Sequence, residues 1–266
     1  MEGAPAIAAS GAARGSAVFL PISDSPNPRG MPWMTIALIA ANVAVYLLFT
    51  LPLSAARPDP SDPLLREYLQ AIVPSLPPNV PAQAVLAQLT RYDLFIFAHG
   101  FRPAAPGVAD VLTAMFLHAG LLHLVGNMLY LWVYGDNVEH RLGPAMFLVW
   151  YLVTGAAATL FFTLFAGNTQ VPLVGASGAV SGVLGFYFLW FPGHTVRVFA
   201  FLFPFYVGSF FLNARLVLGI YLVLDNVLPF LLAPAGSPVA HGAHIGGFLA
   251  GVVVAWLMRG RGERAL

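Results

Sequence analysis

The chain has 266 residues, of which 59% are hydrophobic and 9% charged, with a net charge of +1 and no cysteine. Soluble domains carry about 25% charged residues, so this composition is that of a membrane protein. Disulfides and cysteine-based metal or thiolate chemistry are excluded, and the near-zero charge implies no nucleic-acid partner.

Residues 1–30 are rich in Ala, Gly, Ser and Pro. They lack the charged start and apolar core of a signal peptide, and a flexible cytoplasmic tail is expected there. A spanning helix needs about 20 apolar residues. Six segments reach or approach that length within residues 31–259, the expected membrane domain. The first is Pro32–Leu53, with Trp33 as an interfacial anchor. Residues 54–110 follow, broken by prolines and holding two short amphipathic pieces, Pro63–Ile72 and Pro81–Leu89. That stretch is too long for an idle connection and is expected to lie on the membrane as an interfacial loop.

The second segment, Val111–Tyr134, carries His118, His123 and Asn127 and leads into a charged turn, Gly135–Gly143. The third is Pro144–Ala166. The fourth, Ala176–Trp190, is short for a span and opens on Gly175-Ala176-Ser177-Gly178. Val196–Gly208 is apolar but interrupted by Pro204, and re-entrant or interfacial structure is expected. The fifth segment is Phe211–Leu232. The sixth, Val239–Met258, precedes a cytoplasmic tail at 260–266. The expected fold is an all-α membrane protein, a six-transmembrane-helix bundle with a long interfacial first loop.

All twelve basic residues are arginine. Those in short loops fall on one side if the N-terminus is inside, and both termini are therefore expected in the cytoplasm. Segments two, four and six then run inward. His123 and Asn127, Ser177, and His241 and His244 all lie in their outer halves. Polar residues at one depth on three helices point to function, because each is costly in lipid.

A serine hydroxyl is a weak nucleophile until a base takes its proton, and histidine is the usual base near neutral pH. Ser177 and His244 offer that pair. Gly178 and Gly182 on one helix, and Gly247 and Gly251 on the face of His244, allow close packing, and Gly175 allows close backbone approach. His123 and Asn127, four residues apart, share a helix face. With the Ser177 N–H they could form an oxyanion hole. His118 sits about 140° around a helix from His123 and is expected to anchor the long loop. His241 is expected at a cap, Asn42 as a packing group, and Glu139 and Arg141 as a pairing of the inner turn. No carboxylate accompanies the histidines in that layer, so the expectation is a dyad without cofactor or metal.

The set His123-Leu-Val-Gly-Asn127, Glu139-His-Arg141-Leu-Gly143, Gly175-Ala-Ser177-Gly178 and Ala243-His244-Ile-Gly-Gly247, running on to Gly251, resembles the rhomboid intramembrane serine proteases. The resemblance covers about Pro32–Met258. It implies that Ser177 is the nucleophile, His244 the base, and His123 and Asn127 the oxyanion hole. It also implies cleavage of transmembrane protein substrates within the lipid bilayer, in a bacterial inner membrane. The chain departs from the family at Ser181, where many members place an aromatic residue beneath the histidine, and in the length of its first loop. A catalytically inactive relative that binds transmembrane clients is the alternative. A transporter is disfavoured because no repeat relates the two halves, and a zinc protease because His-Glu-x-x-His is absent. The sequence leaves the oligomeric state open.

Overall fold

The computed structural model describes residues 18–75, 81–202, 206–232 and 240–259. The chain is mostly helical. Strand β1 spans Val18–Ser25 and helix α1 Trp33–Ser54; α2, α3 and α4 span Pro63–Ile72, Ala82–Gln88 and Arg91–His99. Helices α5 (Val108–Phe116), α6 (Leu121–Leu142) and α7 (Pro144–Ala166) follow, then α8 (Ser177–Trp190), β2 (Thr195–Leu202) and β3 (Tyr206–Asn213). The last helices are α9, Ala214–Leu232, and α10, His241–Leu257.

Among the described residues α1, α7 and α9 are long and apolar enough to cross a membrane. Helices α5 and α6 make a fourth candidate span, bent by 89°, while α8 and α10 are shorter apolar helices. Large apolar side chains face outward: Leu164 on α7 is 76% exposed and Trp256 on α10 is 63% exposed. Exposed apolar surface on this scale is suited to lipid contact.

Helix α8 sits at the centre, and eleven of its fourteen residues are buried. It packs on α10 with backbone against backbone. A methyl group on Gly247 would lie 2.0 Å from the Gly178 carbonyl oxygen, and one on Gly251 would lie 2.0 Å from that of Gly182. Thr154 of α7 closes on Gly182 from the other side. Glycine is required along this seam because no side chain fits between the two backbones.

Several expectations are corrected. The second segment is not one straight span. It breaks at residues 117–120, where Leu117 is extended and Gly120 initiates a new helix. The charged turn at 135–143 is helical to Leu142 and ends at Gly143, whose φ of +76° suits glycine, just before Pro144. Its polar residues find partners off the helix. Glu139 accepts from the backbone N–H groups of Met34 (2.9 Å) and Thr35 (2.7 Å) and from the Thr35 hydroxyl (2.7 Å). It thus caps the N-terminus of α1, where free N–H groups favour an anion, and among the described residues no ion pair joins it to Arg141. The Arg141 guanidinium lies 4.5 Å over the Trp190 ring.

The fold is also not all-α. Within the stretch Val196–Gly208, expected as re-entrant or interfacial structure, the described residues lie in the paired strands β2 and β3, with Thr195 opposite Asn213 and Leu202 opposite Tyr206. Residues 18–25, expected within a flexible tail, add β1 antiparallel to β2, with Ser25 opposite Thr195. Pro21 is tolerated because β1 is an edge strand, and the register shifts just after it.

The long loop carries helices α2, α3 and α4 with a small core of its own, including Leu65, Tyr68, Val85 and Phe97. Helix α2 coincides with the expected amphipathic piece Pro63–Ile72. The loop at Ala233–Pro238 lies outside the described residues, as do 260–266.

The sheet lies against the end of α8 remote from Ser177, and Asp24 of β1 is its polar link to the helices. Asp24 Oδ2 accepts from the Tyr187 hydroxyl and from Asn137 Nδ2 at 2.8 Å. The Tyr187 oxygen in turn lies 3.0 Å from His194 Nδ1. Burial pushes the Asp24 carboxyl up from the ordinary 3.8 to about 7. A carboxyl whose pKa rises on folding favours the docked state most when protonated. That contribution is complete below 3.8, declines as pH rises toward about 7, and is constant above. Amide exchange at residues 18–25, corrected for intrinsic rate, is expected to show protection falling between about pH 5 and pH 7 and then levelling. Asp24→Asn is expected to flatten that profile. Protection that rises with pH in the wild-type chain would contradict this account.

Candidate active site

Ser177 is the first residue of α8, reached through an extended stretch held by the long loop. Phe101 and Leu173 exchange backbone hydrogen bonds of 3.1 and 2.8 Å, and the Gly175 N–H donates to the Ala114 carbonyl at 2.8 Å. Gly175 has φ +126°, a conformation side chains rarely adopt. A methyl group there would come within 2.8 Å of His123 Nε2 and 3.5 Å of Ser177 Oγ. The bare glycine lets an imidazole and a hydroxyl from different helices approach one point.

His123 lies in the first turn of α6, with Asn127 one turn further along. Asn127 is 8% exposed, and its Nδ2 has no hydrogen-bond partner among the described residues. A buried donor left unpaired is costly, which suits a group that pairs only with a reacting molecule. His118 falls in the break before α6 rather than on the same helix as His123. It is fully buried, its ring centroid is 5.1 Å from that of His123, and its carbonyl accepts from the Tyr92 hydroxyl at 2.8 Å. It therefore holds the long loop through its backbone.

His244 lies in the first turn of α10, and His241 opens that helix with its ring 6.4 Å from the His244 ring. The Gly178–Gly247 contact brings this turn beside the start of α8. Ser177, Gly175, Met115, Ala158 and Ala243 line one small cavity. The structure therefore brings Ser177 and His123 together at Gly175 and places His244 across the adjoining seam. No hydrogen bond joins Ser177 to His244 among the described residues.

The His244 ring is held instead by a residue the sequence reading passed over. Asn226 Oδ1 lies 2.6 Å from His244 Nδ1, and Asn226 Nδ2 donates to the Tyr221 carbonyl at 2.8 Å. The Tyr221 hydroxyl hydrogen-bonds Ser181 Oγ at 2.8 Å. Ser181 thus meets a tyrosine from α9. Asn226 is 1% exposed, while its neighbour Asp225 faces outward. A polar residue inside an apolar helix was the available signal.

The rhomboid domain family matches residues 106–261 of this chain. "RHOMBOID-like protein 6, mitochondrial" from Arabidopsis thaliana is 28% identical over 159 residues, covering 58% of this chain and 50% of that protein. "Rhomboid-like protein 11, chloroplastic" from the same plant is 31% identical over 168 residues, covering 58% and 53%. "Rhomboid protease GluP" of Bacillus subtilis is 40% identical over 75 residues, covering 28% of this chain and 14% of that protein. The chain spans about half the length of these two plant relatives. With its membrane-crossing helices and this match over more than half its length, the chain is an integral membrane protein of the rhomboid family.

Proposed function

We propose that the protein is an intramembrane serine endopeptidase that hydrolyses peptide bonds in or near transmembrane segments of other membrane proteins. The observation that carries this reading is the approach of Ser177 Oγ and His123 Nε2 to Gly175, together with an Asn127 Nδ2 that has no hydrogen-bond partner among the described residues.

Ser177 Oγ attacks the scissile carbonyl carbon as His244 Nε2 takes its proton. The carbonyl oxygen becomes an oxyanion, which accepts hydrogen bonds from His123, Asn127 Nδ2 and the Ser177 N–H. That N–H belongs to the first turn of α8, where helix N–H groups lack intrahelical partners. His244 then protonates the leaving amine. Water attacks the acyl-enzyme by the same route in reverse roles and frees Ser177. The absence of a Ser177–His244 hydrogen bond is compatible with this sequence, because catalytic contacts are often long before substrate binds.

The finer architecture belongs to the same proposal. Six spanning segments are obtained by counting α5–α6 as one bent span and α8 and α10 as short ones. The first loop lies in the membrane interface, and both termini lie on the inner side. Substrates reach Ser177 sideways from lipid past α9, with water reaching it from the outer face. The relatives' names place them in mitochondria, chloroplasts and a Bacillus, so they single out no one membrane.

The alternative reading is an inactive client-binding relative, which the absent Ser177–His244 bond favours. Fluorophosphonate labelling separates the two. Detergent-solubilised wild-type protein is expected to carry the label on Ser177 and to cut a reporter transmembrane segment in proteoliposomes. Protein that binds the reporter, takes no label and leaves the segment whole would decide for the alternative.

A further inference from the structure

We infer that Asn226 is a positioning residue for His244, which makes helix α9 part of the apparatus that sets the base. The inference rests on the protease reading for its catalytic meaning, but its geometry is independent of it.

A backbone carbonyl can only accept, so the amide group facing the Tyr221 carbonyl at 2.8 Å must be the Asn226 NH2. The amide cannot be turned over without facing two acceptors at each other. Asn226 Oδ1 therefore faces His244 Nδ1 at 2.6 Å, and an amide oxygen also only accepts. The proton must then sit on Nδ1. In the neutral ring this leaves Nε2 bare, as a base for the Ser177 hydroxyl requires. A neutral amide carbonyl thus fixes the tautomer, without a carboxylate.

Backbone geometry explains how α9 delivers this residue. Val223–Val227 is a π-helical turn. In a regular α-helix, residues five apart diverge by about 140°. In a π turn they sit one turn apart on one face. Tyr221 and Asn226 both point inward for that reason, Tyr221 to Ser181 on α8 and Asn226 to His244 on α10. Ser177, His244 and Asn226 come from three different helices. The histidine is correctly set only while α9 is seated, so displacing α9 to admit a substrate uncouples the base until α9 returns.

Two measurements test this. The first is the nitrogen-15 spectrum of histidine-labelled protein at neutral pH, with His244 assigned by its loss in His244→Gln. We expect a proton on Nδ1 in the wild-type protein and a mixture of tautomers in Asn226→Ala. The second is turnover of the reporter segment, where Asn226→Ala is expected to lower kcat by about a hundredfold with KM nearly unchanged. A wild-type His244 protonated on Nε2, or an Asn226→Ala protein with wild-type kcat, overturns the proposal. The wild-type spectrum decides the tautomer even if the variant does not fold. Fluorophosphonate labelling is scored separately. Labelled protein with an Nε2 proton keeps the protease reading and loses this one. Unlabelled protein with an Nδ1 proton does the reverse.

Discussion

Ser177→Ala and His244→Ala are each expected to lower kcat for the reporter segment on the order of 10⁴–10⁶-fold, and the double variant by no more than either. Nucleophile and base act as one unit, so the second loss removes nothing the first left standing. Both substitutions remove atoms without adding bulk. Ser177 is only partly buried at the first turn of α8, so the fold is expected to persist, with thermal stability close to that of the wild-type protein. The measurement is single-turnover cleavage in proteoliposomes by purified variants. Residual turnover in Ser177→Ala within tenfold of wild type would rule out Ser177 as the nucleophile. Losses that multiply in the double variant would show that the two side chains act separately.

Gly251→Ala is expected to have the largest effect on stability of any glycine-to-alanine change among the described residues. The new Cβ would lie 2.0 Å from the Gly182 carbonyl oxygen and 2.9 Å from its carbon. Both obstacles are backbone, so no rotamer change relieves them and α8 and α10 must move apart. Overpacking of a core costs about 1–3 kcal/mol, and the upper end applies where neither side can yield. The separation is transmitted along the seam to Ser177 and His244, so activity is expected to fall with stability. Gly219→Ala in α9 is the control, because nothing lies within 4 Å of its added methyl. Helix propensity favours alanine there by about 1 kcal/mol. Thermal unfolding of the two variants in one detergent is expected to move in opposite directions. Equal shifts would mean that the glycine seam does not set the α8–α10 distance.

What could be read from the sequence was local or compositional. A long apolar run announces a spanning helix whatever surrounds it, and Pro144–Ala166 was bounded to the residue by Pro144 and Gly167. The amphipathic Pro63–Ile72 was legible for the same reason, since periodicity and a capping Asp62 act within one helix. The grouping of Ser177, His123, Asn127 and His244 came from motifs and from a common depth, both countable along the chain.

Tertiary structure alone decided what depends on partners far apart in sequence. Strand β1 exists because Val18 meets Phe201 and Ser25 meets Thr195, and no property of residues 18–25 announces that pairing. The polar run at 135–143 stays helical because Glu139 is satisfied by Met34 and Thr35, and Asn137 by Asp24. A reading confined to neighbours sees only unpaired polar groups there and places a turn. Asn226 reaches His244 because a π turn rotates it inward, and α-helical periodicity assigns it to another face. Periodicity reports which side of a helix a residue occupies. Which donor meets which acceptor depends on how the helices are set against one another, and that arrangement exists only once the chain has folded.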